Sequence, residues 1–209
     1  MNLKKYWKNI CLWIIAALLF YSGIQNYASM EESNAAVIEL YGTYPDQKRA
    51  EEILLSGAKA EEFTDLCFVW NGGMTDLQNP EYVRQTQVAV TGVLGKASLY
   101  DREGMALDEN DQEGCIIDEK TAVELFGSRN CVGGVVLNDK TYLVRQAASW
   151  NMHRILIHPD AKDTIYTQVL VRPAKGQSKE NAASGFLMSN GYFGTLVDDG
   201  WLENLTPWF

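Results

Sequence analysis

The chain has 209 residues, a length that suits one domain, and 46% of them are apolar, so it can bury a hydrophobic core. Three of its 18 basic residues and none of its acidic ones precede Met30, which leaves 15 basic and 27 acidic residues, a net charge of −12, beyond that point. So acidic a surface excludes binding to nucleic acid or to anionic lipid headgroups.

The segment that begins the chain is typical of a membrane anchor. Three lysines precede an uncharged stretch, residues 9–30, whose apolar centre at 10–24 is long enough to cross a bilayer core of about 30 Å. Because basic residues favour the cytoplasmic side, we expect a cytoplasmic tip and a transmembrane helix within 1–29, and an extracytoplasmic domain over 30–209. A cleaved signal peptide has the same order of basic and apolar residues, and the sequence leaves that alternative open.

The first elements beyond the anchor alternate between strand and helix. Apolar runs bounded by Gly or Pro predict strands, and apolar residues spaced three and four apart predict a helix. We expect strands at Ala35–Tyr41, Leu66–Trp70 and Arg84–Leu94 and a helix at Asp46–Ser56. Gly72 and Gly73 should end the second strand, and residues 101–114 should form a polar, acidic loop.

A short helix is the best-marked element of the chain. Asp118 stands where an N-cap belongs, and Gly127 supplies the left-handed residue that stops a helix. Between them, Ala122, Leu125 and Phe126 fall on one stripe that would be buried. These signals predict a helix of about two turns.

A hairpin should follow this helix. The apolar runs Val135–Leu137 and Tyr142–Val144 are joined across Asn138–Lys140, a spacing typical of two strands and a tight turn. The remaining predicted elements are strands at 115–117, 155–157, 167–171 and 194–197 and a helix at 178–190.

These elements predict an α+β fold of two lobes behind the N-terminal transmembrane helix. The terminal parts, residues 35–70 and 154–197, would pair into one mixed sheet with its helices on a single face. Residues 72–150 would form a small inserted lobe rich in β-structure. This arrangement makes residues 30–209 one extracytoplasmic domain.

Residue types that carry catalysis or bind metals are scarce. The two histidines, His153 and His158, lack the spacing of zinc ligands, and an exposed turn is the expected place for them. No serine lies in the Gly-x-Ser-x-Gly pattern of a hydrolase. We therefore expect no enzymatic activity, no cofactor and no bound metal.

The predicted loop at 101–114 contains a cluster of acidic and amide side chains. It comprises Asp108, Asn110, Asp111 and Glu113, whose oxygen atoms could hold a calcium ion outside a cell. The spacing differs from that of an EF-hand loop, because no bidentate Glu lies at the twelfth position. A solvated loop is the expected structure.

Three cysteines lie beyond the anchor, and each is in or beside an apolar run. Cys67, Cys115 and Cys131 match neither a CxxC motif nor a Cys/His ligand pattern, so we interpret them as small buried hydrophobic residues. A disulfide between Cys115 and Cys131 stays open as the alternative outside the cytoplasm.

The stretch that contains the short helix and the hairpin resembles the extracytoplasmic core domain of MacB/FtsX-type ABC transporter permeases. That family has a segment of the form I-D-E-x-T-A-x-x-L-F-G, followed by N-x-V-G and by a hairpin that ends near Y-x-V-R. The matching positions are Ile117, Asp118, Glu119, Thr121, Ala122, Leu125, Phe126, Gly127, Asn130, Val132, Gly133, Tyr142, Val144 and Arg145. The family's domain has a porter-like lobe and a small β lobe, which the resemblance implies for this chain.

The resemblance also implies a function and partners. The domain would be a non-catalytic part of a permease and would couple ATPase-driven helix movement to the handling of a substrate or partner outside the membrane. Its partners would be an ABC ATP-binding subunit in the cytoplasm, further permease helices or a second permease copy, and the lipid bilayer. In that family the domain lies between the first two membrane helices, and this chain ends about where the second would begin, so transport would need further helices.

Five residues are the predicted pivot between the lobes: Asp118, Leu125, Phe126, Gly127 and Gly133. They belong to the short helix and the turn after it, which the resemblance covers most closely. The alternative function is that of a stand-alone, single-pass anchored extracytoplasmic binding protein or sensor with no ABC partner.

Overall fold

The computed structural model describes Trp13 and residues 35–57, 63–131, 133–159 and 164–197. The predicted cytoplasmic tip and transmembrane helix therefore lie outside the described residues, apart from Trp13. Within the described ranges, no helix is both long and apolar enough to span a membrane. The described residues between Ala35 and Val197 form one compact unit.

The described ranges contain nine strands, three α-helices and two 3₁₀ helices, which confirms the predicted α+β class. In chain order they are β1 (Ala36–Tyr41), α1 (Gln47–Gly57), β2 (Phe63–Asn79), β3 (Arg84–Gly95), 3₁₀ helices at Ala97–Leu99 and Arg102–Ala106, β4 (Gly114–Asp118), α2 (Glu119–Phe126), β5 (Gly134–Leu137), β6 (Lys140–Ala148), β7 (Arg154–Ile157), β8 (Gln168–Pro173), α3 (Lys179–Asn190) and β9 (Phe193–Val197).

The long strand β2 organises the sheet, because it pairs with β8, β3 and β5. Six strands close on themselves in the order β2, β3, β7, β4, β6, β5 and back to β2, and we call them the ring. The pairs β3–β7 and β4–β6 are parallel, and the other pairs are antiparallel. The first part of β2 continues through β8 and β1 to β9, and we call these four strands the open sheet.

Each part has its own apolar core. Helices α1 and α3 pack on the open sheet, where Ile53 and Phe186 join Ile38 and Phe68 in one buried cluster. Helix α2 contributes Leu125 to a second cluster, which is supplied by all six strands of the ring. Residues 97–113, which we call the strap, contain both 3₁₀ helices. A third apolar cluster lies beneath the strap.

The strand β2 is longer than predicted, because Gly72 and Gly73 form a bulge instead of ending it. The register with β3 shifts between Asn71 and Gly73, and the pairing then continues to Asn79. A Cβ on Gly72 would lie 2.6 Å from the Trp70 ring, so only glycine fits there. A bulge inserts an extra residue and bends a strand without terminating it.

The strand β7 also differs from the expectation, which paired it with the terminal strands. It pairs in parallel with β3 and antiparallel with β4, so it belongs to the ring. A short apolar run identifies a buried strand but carries no information about its neighbours.

The predicted hairpin of β5 and β6 is confirmed. Asn138 and Asp139 connect the strands with φ angles of 49° and 64°. Two successive residues with positive φ make the type I′ turn, whose twist matches that of the flanking strands.

Candidate functional site around helix α2

Helix α2 begins at Asp118, as the sequence predicts, and the carboxylate of this residue is fully buried. Asp118 is the last residue of β4 and the N-cap of α2, and its Oδ1 accepts hydrogen bonds from the backbone N–H groups of Lys120 and Thr121, each at 3.0 Å. These bonds satisfy two of the donors that every helix N-terminus leaves free. The buried Asp118 therefore fixes where α2 starts.

The second oxygen of Asp118 joins α2 to β7. Its Oδ2 accepts a hydrogen bond from the Arg154 backbone N–H at 2.9 Å and another from the hydroxyl of Thr121. A buried carboxylate with four donors is fully satisfied, whereas any of those donors would be unpaired without it. Asp118 thus bonds a helix to a strand 36 residues further along the chain.

His153 completes this polar cluster. Its Nδ1 lies 2.9 Å from Thr121 Oγ1, and its Nε2 lies 3.8 Å from Glu124 Oε1. Because the Thr121 hydroxyl donates to Asp118, the His153 Nδ1 atom must donate to Thr121. The hydroxyl proton of Thr121 is donated to Asp118, and the Thr121 side chain is buried. The cluster therefore holds α2 against β7 and offers no free nucleophile.

The expectation that both histidines lie in an exposed turn is wrong for His158, which is fully buried. His153 is partly exposed and belongs to the Asp118 cluster. No local signal marks either position, because the partners of both rings come from distant parts of the chain.

The far end of α2 is bound to the turn between β2 and β3. The buried Asn79 donates from Nδ2 to the carbonyl of Leu125 at 3.4 Å, and Arg84 Nη1 donates to the carbonyl of Glu124 at 3.3 Å. Gly127 has the predicted left-handed conformation, with φ of 77°. The last carbonyl groups of the helix are therefore partly satisfied from outside it.

Phe126 and Gly133 meet beside this junction. The Phe126 ring packs edge-on against Tyr82 with centroids 6.3 Å apart, and a Cβ on Gly133 would lie 3.1 Å from Phe126. The structure thus brings the predicted pivot residues into one module with the β2–β3 turn. Asn79 and Arg84 are not among the predicted site residues, although an Asn before a Pro is a turn signal.

The β2–β3 turn ends at a residue in an unfavourable conformation. Val83 has a φ of 52° and is 90% exposed. A β-branched residue in the left-handed region is strained by roughly 1 to 2 kcal/mol. The bonds from Asn79 and Arg84 hold the turn in this form from both sides.

Two carboxylates of the acidic cluster in the strap accept hydrogen bonds from other groups of the protein. Asp111 accepts two hydrogen bonds from the Arg145 guanidinium, at 2.7 and 3.0 Å, and these bonds lower the pKa of the Asp111 carboxyl. The Asp108 side chain accepts from the backbone of Asn110. Among the residues that the structure describes, no group of three or more His, Cys, Asp or Glu side chains is arranged to hold a metal ion.

The three described cysteines have free thiols. Cys67 and Cys115 are fully buried, and burial raises the pKa of both thiols well above the usual range. Cys131 is half-buried at the edge of the ring core. A thiol that cannot ionise is inert, so Cys67 and Cys115 pack as small apolar groups.

A shallow cleft of about 430 Å³ lies beside α2. Its walls include Lys120, Arg129 and Trp150. Arg129 forms an ion pair with Glu119 at 3.1 Å, and Lys120 donates to the carbonyl of Asn151. Since Arg129 and Lys120 already have partners, neither offers the cleft an unpaired positive charge that could bind a ligand.

The first and last described strands lie side by side. In the antiparallel pair of β1 and β9, Val37 is opposite Val197. The strand β1 begins at Ala36, one residue before Val37, and β9 ends at Val197. The start of β1 and the end of β9 therefore lie at the same end of the open sheet. Directly opposite Cα atoms in such a pair are about 5 Å apart.

No protein-family model matches the chain, and no curated protein matches it in sequence. Its fold, however, matches solved structures of transporter domains. The extracellular domain of the noncanonical ABC-type transporter YknZ from Gram-positive bacteria superposes with a TM-score of 0.54 at 13% identity, over 78% of this chain and 99% of that one. The periplasmic region of MacB from Actinobacillus actinomycetemcomitans gives 0.59 at 12% identity, over 84% and 95%. By fold, the chain is therefore similar to the extracytoplasmic domains of MacB- and YknZ-like ABC transporters.

Proposed function

We propose that the chain is a membrane-anchored, non-catalytic extracytoplasmic domain of a MacB/FtsX-type ABC permease. In this role it couples ATPase-driven helix movement to the handling of a substrate or partner outside the membrane. The observation that carries the proposal is the pairing of Val37 with Val197, together with the fold. A domain with a membrane segment on both sides of it needs its two connections at one end, whereas a domain with a segment only before it needs one connection there.

The proposed moving parts are two lobes that share β2. One comprises the open sheet with α1 and α3, and the other comprises the ring with α2. The module of Asp118, Leu125, Phe126, Gly127 and Gly133 is the proposed pivot between the lobes, and its polar and aromatic contacts join α2 to β7 and to the β2–β3 turn. A change in the angle between the lobes would then be transmitted without deforming the ring.

The proposed partners follow from the same reasoning. An ABC ATP-binding subunit in the cytoplasm would supply the energy, and further permease helices or a second permease copy would supply a transport path in the lipid bilayer. The residues before the described domain would be the transmembrane anchor, with the N-terminus inside the cell.

Labelling of introduced cysteines tests the proposed topology. Met188 on α3 is 84% exposed, so Met188→Cys in a background that carries Cys11→Ser and Cys131→Ser should react with a membrane-impermeant maleimide in intact cells. The matched variant Asn2→Cys should react only after lysis. Reaction of Met188→Cys only after lysis would refute the extracytoplasmic location.

Distance measurements test the coupling. Spin labels at Met188→Cys and Leu143→Cys report on α3 and β6, and both positions are exposed. In membranes that contain the chain with its co-purifying ATP-binding subunit, the distance distribution should change between the nucleotide-free and ATP-bound states. An unchanged distribution during hydrolysis would contradict coupling, and the absence of any ATP-binding subunit would favour the stand-alone protein.

A further inference from the structure

His158 lies between two backbone carbonyl groups. Its Nδ1 is 2.7 Å from the carbonyl oxygen of Val93 in β3, and its Nε2 is 2.9 Å from that of Asp108 in the strap. The ring is fully buried, immediately after the last residue of β7. The imidazole therefore bridges the sheet and the strap.

This geometry determines the protonation of the ring. A carbonyl oxygen only accepts hydrogen bonds, so each ring nitrogen needs its own N–H to bond its partner. A neutral imidazole has one N–H, and its other nitrogen would direct a lone pair at a carbonyl oxygen. Both contacts are hydrogen bonds only when His158 is the imidazolium ion.

The strap is held by the burial of Leu99 and Leu107 and by a few polar contacts. Asp111 is bonded to Arg145, Asp101 lies 4.0 Å from Arg154, and Glu103 accepts a hydrogen bond from Gln146. These contacts hold its carboxylates on β6 and β7. Of the side chains in all these contacts, only the imidazole of His158 changes charge between about pH 5 and 8 in its ordinary state.

The elements around His158 contribute further titratable groups. The strap supplies Asp108, Glu109 and the Asp111–Arg145 pair. The strand β2 supplies Cys67, which interacts with Glu109, and Asp65, which is paired with Lys96 after β3. The strand β4 supplies Cys115, opposite Ile157. An opposite charge close to the ring favours the imidazolium ion and burial disfavours it, and the charges of Arg145 and Lys96 are already paired.

We propose that His158 is a proton-dependent clasp, which holds the strap on the sheet as an imidazolium ion and loosens it on losing a proton. Protonation and closure of the strap favour each other. The two hydrogen bonds exist together only in the imidazolium form, so loss of the proton removes one of them. The strap buries its own Leu107 against Ile116 and Leu156, so loosening it exposes apolar surface beside the junction of the ring and the open sheet.

Imidazole nitrogen NMR of the ¹⁵N-labelled full-length chain tests the protonation directly. At pH 5.5 both His158 nitrogens should carry protons, and at pH 8.0 they should become inequivalent. The sequence has two histidines, so a His153→Gln sample assigns the signals. A neutral His158 at pH 5.5 would overturn the proposal.

Hydrogen exchange tests the release of the strap. After correction for the intrinsic pH dependence of exchange, protection of peptides from 97–113 should fall roughly tenfold between pH 5.5 and 8.0, as expected for loss of one charge-assisted hydrogen bond. His158→Gln should abolish this difference, and His153→Gln, the matched control, should retain it. Equal protection at both pH values in the native chain, or the same fall in His158→Gln, would refute the clasp. If His158→Gln fails to fold, the NMR result on the native chain decides.

Discussion

The ring and the open sheet are stabilised in different ways. The core of the open sheet is rich in aromatic rings: Phe68 and Phe186 have centroids 6.1 Å apart, and Phe186 also stacks on Tyr192. The ring has a core that is mostly aliphatic, with Tyr142 as its one buried aromatic residue among those described, and a buried carboxylate, Asp118, that bonds α2 to β7. Apolar packing therefore stabilises the open sheet and its two helices. The closed ring uses a buried polar group in addition, and that group fixes the position of α2.

The edges of the two parts also differ. Every strand of the ring has at least two partners, whereas β9 is paired on one side with β1 among the described strands. Tyr41 and Phe193 stack across that last pair, with centroids 6.3 Å apart, and both rings are exposed. Amide protons of β9 should therefore exchange faster than those of β4, which lies between β7 and β6.

The largest effect should come from the aromatic core of the open sheet. Replacing Phe186 by Ala removes a fully buried ring and should lower the free energy of unfolding by about 4 kcal/mol. Met188→Ala, two residues away on the same helix and 84% exposed, should change it by less than about 0.5 kcal/mol. Chemical denaturation of the full-length chain measures both. Equal effects of the two variants would contradict the described packing of α3.

Removal of the buried carboxylate of the ring should have a somewhat smaller effect. Asp118→Ala leaves the N–H groups of Lys120, Thr121 and Arg154 without their acceptor, so we expect a loss of about 3 kcal/mol. Asp76→Ala, at an exposed position of β2, is the matched control and should be near neutral. If Asp118→Ala is as stable as Asp76→Ala, the polar network does not stabilise the ring.

The smallest effect should be a gain in stability at the β2–β3 turn. Val83→Asn places a residue that tolerates positive φ at a strained position and should raise the free energy of unfolding by about 1 kcal/mol. Val83→Thr keeps the β-branch and should change little. Thermal unfolding of the three proteins compares them, and an Asn variant no more stable than the Thr variant would show that Val83 is not strained.

Local signals in the sequence predicted much of this fold. The helix α2 was predicted from Asp118 and Gly127, and the hairpin from Asn138 and Asp139, because a cap and a tight turn depend on residues next to each other. Both were found at the expected positions. The same locality explains why the N-cap role of Asp118 could be predicted while its bond to Arg154 could not.

The features that the sequence did not reveal are long-range ones. The partners of β7 and the continuation of β2 beyond Gly72 depend on which strands meet, and an apolar run of four or five residues fits many neighbours. The burial of His158 depends on the carbonyl groups of Val93 and Asp108, 65 and 50 residues away. A histidine before a proline therefore looked like a surface turn.

The course of β2 has a consequence for dissecting the protein. Its 17 residues belong to the open sheet at one end and to the ring at the other, and neither end is a linker. A gene fragment that encoded either part alone would have to duplicate this strand, and deletion of residues 72–150 would leave Trp70 and its neighbours without the β3 backbone that they bond. Because the open sheet and the ring share β2, neither could be transferred to another protein without the other.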